Sequence, residues 1–183
     1  HTGLTFQSVN PTRPHEVVGV FQKGTPESVE KAMAAALQSF ETWSRTSGEE
    51  RVKILLRVAE IMKVRRLELA AWMVIEVGKS WVEADADVAE AIDFCEYYCR
   101  LMLKLDRPEP LVPYPGEQNE LRYIPLGVGL VIPPWNFPLA ILAGMAFASI
   151  VSGNTVILKP SSDSPAIAAQ LMTIFDEAGL PPG

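Results

Sequence analysis

Two short apolar runs, each closed by a proline-bounded turn and followed by a helical stretch, restrict the folds open to this chain more than any other feature. The first is LVIPPWNFP at residues 130–138, which leads into the small-residue stretch 139–151 and a stop at Gly153. The second is NTVILKP at residues 154–160, which leads through SSDSP into a helical pattern ending at Ala178 and Gly179. Strand, turn and helix repeated in this order build a parallel sheet with helices on its faces, because parallel neighbours need a crossover connection. The fold class is therefore α/β. Ligands of such sheets bind beyond the carboxyl ends of the strands, and here those ends are PPWNFP and KPSSDSP.

The part that precedes them is helical. Two β-like runs around a Pro/Arg/Pro turn within residues 6–21 predict an edge hairpin. Thr25, Pro26 and Glu27 then read as an N-cap, an N1 proline and an acidic first turn. The helix they open places Val29, Met33, Leu37, Phe40 and Trp43 on one stripe. Ser47 and Glu50 have capping-box spacing and open a second helix with the apolar face Val52, Leu55, Leu56, Ala59 and Met62. A third segment, residues 67–77, stops at Gly78, and a fourth, residues 81–105, carries the stripe Val88, Ile92, Cys95, Cys99 and Met102. Four amphipathic helices in a row make a helical layer. Within a single domain the division is a hairpin at 1–24, the helical layer at 25–107, a proline-rich connection at 108–126 and a βαβα unit at 127–183. Gly127 and Gly129 interrupt a strand-like run that begins at Asn119, and no third glycine completes a dinucleotide fingerprint.

A net charge of −6 over 183 residues argues against nucleic-acid binding, which calls for a clustered basic surface. The basic cluster KVRR at residues 63–66 falls inside a helical pattern and reads as a solvated face. Cys95 and Cys99, one helical turn apart, have poor geometry for a disulfide and read as reduced packing residues, which suits a cytoplasmic location, or the mitochondrial matrix in a eukaryote. Glu83, Asp85, Asp87 and Glu90 scatter around a helix axis and read as a solvated face, with no metal site. The apolar run at 139–151 is too short to span a bilayer, so no membrane is expected as partner. The chain begins at His1 rather than Met, which implies a missing upstream piece.

At the strand ends each candidate residue has two readings. The Asn136 amide can donate to an oxygen that gains negative charge, or it can bond its own turn backbone. Lys159 can hold sugar hydroxyls or a phosphate, or it can be a strand-end lysine whose stem lies on apolar surface. Ser161, Ser162 and Asp163 are further polar contacts or the cap of the last helix.

PWNFP, then GNTVILKPS one helix later, then EAGLPPG, resemble the aldehyde dehydrogenase superfamily over nearly the whole chain. EVGKSWVEADADVAEAIDFCEYY and PYPGEQNE are most similar to its Δ1-pyrroline-5-carboxylate (glutamate-semialdehyde) branch. The resemblance implies a helical layer followed by part of a Rossmann-like, NAD-binding sheet, truncated at residue 183 where the next strand should start. It implies oxidation of L-glutamate γ-semialdehyde to glutamate in proline catabolism, through a cysteine thiohemiacetal and a glutamate-activated water, with both residues downstream of this chain. Asn136 matches the oxyanion donor; Ile132, Pro134 and Trp135 match the segment lining the cofactor; Lys159 matches the lysine at the adenosine ribose. Phe137 matches an aromatic of the aldehyde tunnel, and Glu96 a helix glutamate at its mouth. Ser162 stands where many NAD-preferring members carry glutamate, so NAD is the implied cofactor and NADP is not excluded. The implied partners are a small aldehyde and further copies of the same protein in a dimer-based assembly, paired through the hairpin and the segment 121–124. A non-catalytic nucleotide-binding or assembly module, and another semialdehyde dehydrogenase of the superfamily, are the alternative readings.

Overall fold

In a computed structural model of the chain, residues 3–182 are described. The expected hairpin region includes His1 and Thr2, and the expected start of a further strand reaches Gly183; these three residues lie outside the described ones. Strands β1 (Thr5–Asn10) and β2 (Arg13–Gln22) pair antiparallel, and the turn between them leaves Pro14 inside β2. Four helices follow: α1 (Pro26–Trp43), α2 (Gly48–Val64), α3 (Arg66–Val77) and α4 (Trp81–Leu105). After a stretch without regular structure come β3 (Val128–Val131), α5 (Ala140–Val151), β4 (Thr155–Leu158) and α6 (Pro165–Ala178). The strand-like run expected from Asn119 is thus a strand over its last part only, and Leu121, Tyr123 and Ile124 are exposed.

The helix limits follow local chemistry. Thr25 with Ser28, Ser47 with Glu50 and Ser80 with Glu83 each form a reciprocal capping box at the starts of α1, α2 and α4. Gly78 and Gly179 end α3 and α6 with φ of 71° and 80°, a conformation that a side chain at Cβ disfavours. α4 is the central helix. Its buried stripe of Val88, Ile92, Cys95, Cys99 and Met102 is the expected one, and it packs against α2, α3 and α5.

Two expected faces are different. On α1 the residues turned inward are small: Ala36 is buried and Ala32 half-buried, whereas Val29, Met33 and Leu37 are exposed and only Trp43 of the large stripe is buried. On this side α1 approaches the sheet closely, and Thr155 Oγ1 on β4 donates to the Ala36 carbonyl at 2.9 Å. On α2 the stripe is Val52, Leu55, Val58, Ala59 and Met62, so the expected face holds except that Leu56 is exposed and Val58 takes its place. β3 and β4 pair in parallel, with Val128 opposite Thr155 and Val131 opposite Leu158. Alternate residues of a strand face opposite sides; Thr155 meets α1, and Val156 and Leu158 pack on the core that contains Phe147 and Phe175. Asn154 Oδ1 accepts from the Leu126 and Gly127 N–H groups and aims the chain into β3.

Candidate active site at the strand ends

Lys159 N–H donates to the Val131 carbonyl at 2.9 Å, so the chain leaves both strands from the same edge of the sheet. The turn after β3 carries Trp135, Asn136 and Phe137, all exposed, against a cleft of about 410 Å³. The opposite wall comes from the α3–α4 junction and α4, with Lys79, Glu83, Asp87 and Glu90. Asn136 has no hydrogen bond among the described residues, neither to its own backbone nor to a neighbour. Its amide is free to serve whatever enters the cleft.

That turn is gripped from behind. Leu139, at the N-cap of α5, provides no side-chain cap. The Asp87 carboxylate on α4 supplies it instead, as Oδ1 accepts from Ala140 N–H at 2.7 Å. Oδ2 of the same group accepts from Lys79 Nζ at 2.6 Å, and that ammonium lies 4.7 Å from the centroid of the Phe137 ring. Asp87 is 2% exposed, which corrects the expectation that the acidic string on α4 is wholly solvated. A buried carboxylate persists where it is paired and hydrogen-bonded, and this one is both.

The second strand end has the same device. Ser164 precedes α6 without capping it. Glu76, 3% exposed near the end of α3, takes that role: Oε1 accepts from Ala166 N–H at 2.6 Å and Ser8 Oγ–H at 3.0 Å, and Oε2 from Ile167 N–H at 2.9 Å. Burial pushes its carboxyl above the usual range, against the pull of those three donors. Lys159 and Ser162 are exposed and line a groove of about 1030 Å³ that runs along β4 between α1 and α6. Its volume lies at the upper end of small-molecule sites. Glu76 occupies the first N–H groups of α6, so the positive charge offered to an anion in this groove comes from the lysines that line it, Lys159 among them, and not from the helix terminus. An ammonium and a hydroxyl beside an apolar groove fit a nucleoside with its sugar hydroxyls at the strand end.

The remaining candidates are placed differently. Ile132 and Pro134 are exposed at the end of β3 and line neither cavity. Glu96 is on α4, away from the Asn136 cleft; it accepts from Lys63 at 2.7 Å and Arg100 at 2.8 Å, and the Lys63 bond in particular holds its carboxyl below the usual range. Cys95 and Cys99 are buried. Hydrogen bonding to Cys99 and burial push the Cys95 thiol well above the usual range, which makes it a packing group and not a nucleophile.

Asp87, Glu76 and Lys79 escaped the sequence reading, although a signal existed for two of them. Asp87 has helical spacing with the buried Ala84 and Ala91, and Glu76 with Leu69 and Met73. A carboxylate inside an apolar stripe is a buried carboxylate, and a buried carboxylate needs donors.

The model of the aldehyde dehydrogenase family matches residues 1–183. The chain belongs to the aldehyde dehydrogenase family. This aldehyde dehydrogenase segment is 55% identical over 176 residues to a 1-pyrroline-5-carboxylate dehydrogenase of Geobacillus kaustophilus, and the match covers 96% of the chain and 34% of that relative. It superposes with a TM-score of 0.96 on a Thermus 1-pyrroline-5-carboxylate dehydrogenase with bound NAD, at 50% identity, over 99% of this chain and 35% of that one. A proline utilization A protein of Bdellovibrio bacteriovorus gives a TM-score of 0.97 at 46% identity, over 100% of this chain and 19% of that one. The chain thus spans about a third of the length of the curated relatives it matches. No helix among the described residues is long and apolar enough to cross a membrane.

Proposed function

We propose that the complete protein containing this segment oxidises L-glutamate γ-semialdehyde, the open form of Δ1-pyrroline-5-carboxylate, to glutamate, with NAD as the preferred cofactor over NADP. Aldehyde, water and oxidised cofactor give carboxylate, reduced cofactor and two protons. The relatives' names support the substrate, and the NAD-bound Thermus structure supports the cofactor. In this reading the 183 residues are one incomplete domain whose two-stranded sheet continues in the rest of the protein, and the protein is a soluble, cytoplasmic homo-oligomer.

One observation carries the chemistry: an unbonded amide at the end of a parallel strand, facing a cleft with aromatic side chains on both sides of it in sequence. As an aldehyde carbonyl is attacked, its oxygen becomes an alkoxide. The Asn136 amide N–H donates to that oxygen. Phe137 forms an aromatic wall for the aldehyde, and Glu96 stands further along α4 towards the mouth of its path. Lys159 and Ser162 hold the adenosine end of the dinucleotide, and Ile132, Pro134 and Trp135 flank it beside the strand end. The bound nicotinamide supplies the hydride acceptor. The attacking thiol comes from outside these residues, because both cysteines present here are buried in the core.

Asn136→Ala in the complete protein tests this. Loss of one such donor costs about 10²–10³ in kcat, with KM little changed. An unaltered kcat removes Asn136 from the mechanism.

A further inference from the structure

We propose that Lys79 and Asp87 are positioning residues for Asn136, an inference that rests on the reading of Asn136 as the oxyanion donor. Asn136 has no side-chain bond of its own among the described residues, so its aim is set by the backbone on either side. Upstream, the sheet holds that backbone through the Lys159 N–H bond to Val131. Downstream, no side chain of the turn caps α5; Ile141 N–H donates to the Phe137 carbonyl at 3.3 Å, and one buried ion pair adds a hold from outside the helix. Asp87 fixes the Ala140 N–H at 2.7 Å, and Lys79, bonded to Asp87 at 2.6 Å, lies against the Phe137 ring at 4.7 Å. The pair therefore clamps residues 137 and 140, which bracket the proline-bounded exit of the turn.

The pair's cost argues the same way. Its side chains are 14% and 1% exposed, and a buried ion pair is poor value for stability alone because both charges lose water. Leu139, the residue placed to cap α5 locally, is fully buried in the core, so the cap comes from another helix. What the remote pair adds is a rigid link between the helical layer and the turn, with both of its charged groups in the wall opposite Asn136. Displacing a catalytic group by about 1 Å costs on the order of 10²-fold in rate.

The test is a double-mutant cycle in the complete protein. Asp87→Ala and Lys79→Met are each expected to lower kcat about ten- to a hundredfold while NAD binding, followed by fluorescence titration, is unchanged. Lys79→Arg is expected to recover most of the loss. In an Asn136→Ala background either change should alter kcat less than about twofold, since there is no longer a donor to aim. The same full loss in both backgrounds, or a normal kcat in both single variants, overturns the positioning role. If Asp87→Ala fails to fold, the Lys79→Met and Lys79→Arg pair completes the cycle alone. An Asn136→Ala protein of normal kcat would instead overturn the oxyanion reading and this inference with it, an outcome distinct from additivity.

Discussion

Replacing Glu76 by alanine strikes the point where three parts of the fold are joined. Its carboxylate accepts from Ser8 on β1 and from the Ala166 and Ile167 N–H groups at the start of α6, while its own backbone belongs to α3. Alanine leaves two backbone donors and one hydroxyl without their acceptor, at about 1–3 kcal/mol for each group left buried and unpaired. Relief of the burial cost of the carboxylate returns several kcal/mol of that, so a net loss of about 3 kcal/mol is expected. With a urea m-value of about 2 kcal/mol/M, the midpoint should fall by about 1.5 M. Glutamine keeps one acceptor and removes the charge, so Glu76→Gln should be the milder change.

The two variants also separate by pH. Burial raises the carboxyl of Glu76 above its value in the unfolded chain, where it lies near the ordinary 4.5. As pH falls through the raised value, the folded protein takes up a proton before the unfolded chain does, so the folded state gains stability until both are protonated. The parent's advantage over Glu76→Gln must then grow from neutral pH down to about 4.5. Other groups titrate alike in the two proteins and cancel. A urea midpoint for Glu76→Ala within 0.3 M of the parent, taking roughly a tenth of a typical extrapolated stability as the error, would refute the argument. An advantage over Glu76→Gln that shrinks on acidification would refute it too.

Other outcomes follow from single contacts. A Cβ at Gly144 would lie 2.9 Å from Cδ2 of Phe94 where α5 meets α4; Gly144→Ala should cost about 1–3 kcal/mol by overpacking, visible as a lower melting temperature. Cys95 and Cys99 should react with a thiol reagent only after unfolding, and fast release by the native protein would contradict their burial. Ser162→Glu should leave NAD turnover in place and lower kcat/KM with NADP at least about tenfold, because a carboxylate there repels a 2′-phosphate; equal loss with both cofactors would place Ser162 elsewhere.

How far the residues alone led depends on the range of the forces involved. The Thr25 N-cap, the Ser47–Glu50 capping box, the glycine stops and the full extent of α4 were legible because each arises from bonds between residues three to six apart; the boxes of Thr25 with Ser28 and Ser80 with Glu83 came only with the structure. So was the strand–turn–helix order of the second half, and with it the edge of the sheet where a ligand would lie. The stripe on α1 was not legible: Val29, Met33 and Leu37 have helical spacing, but the side turned inward was chosen by contact with β4, whose Thr155 bonds the Ala36 carbonyl. Asp87 and Glu76 show the same limit more strongly. Composition marks them as ordinary surface acids, yet they cap α5 and α6 across 53 and 90 residues of chain. Periodicity can tell which residues share a helix face. Only the packed chain decides which face is covered, which carboxylate reaches a distant helix end, and that the Asn136 amide is left unbonded in a cleft.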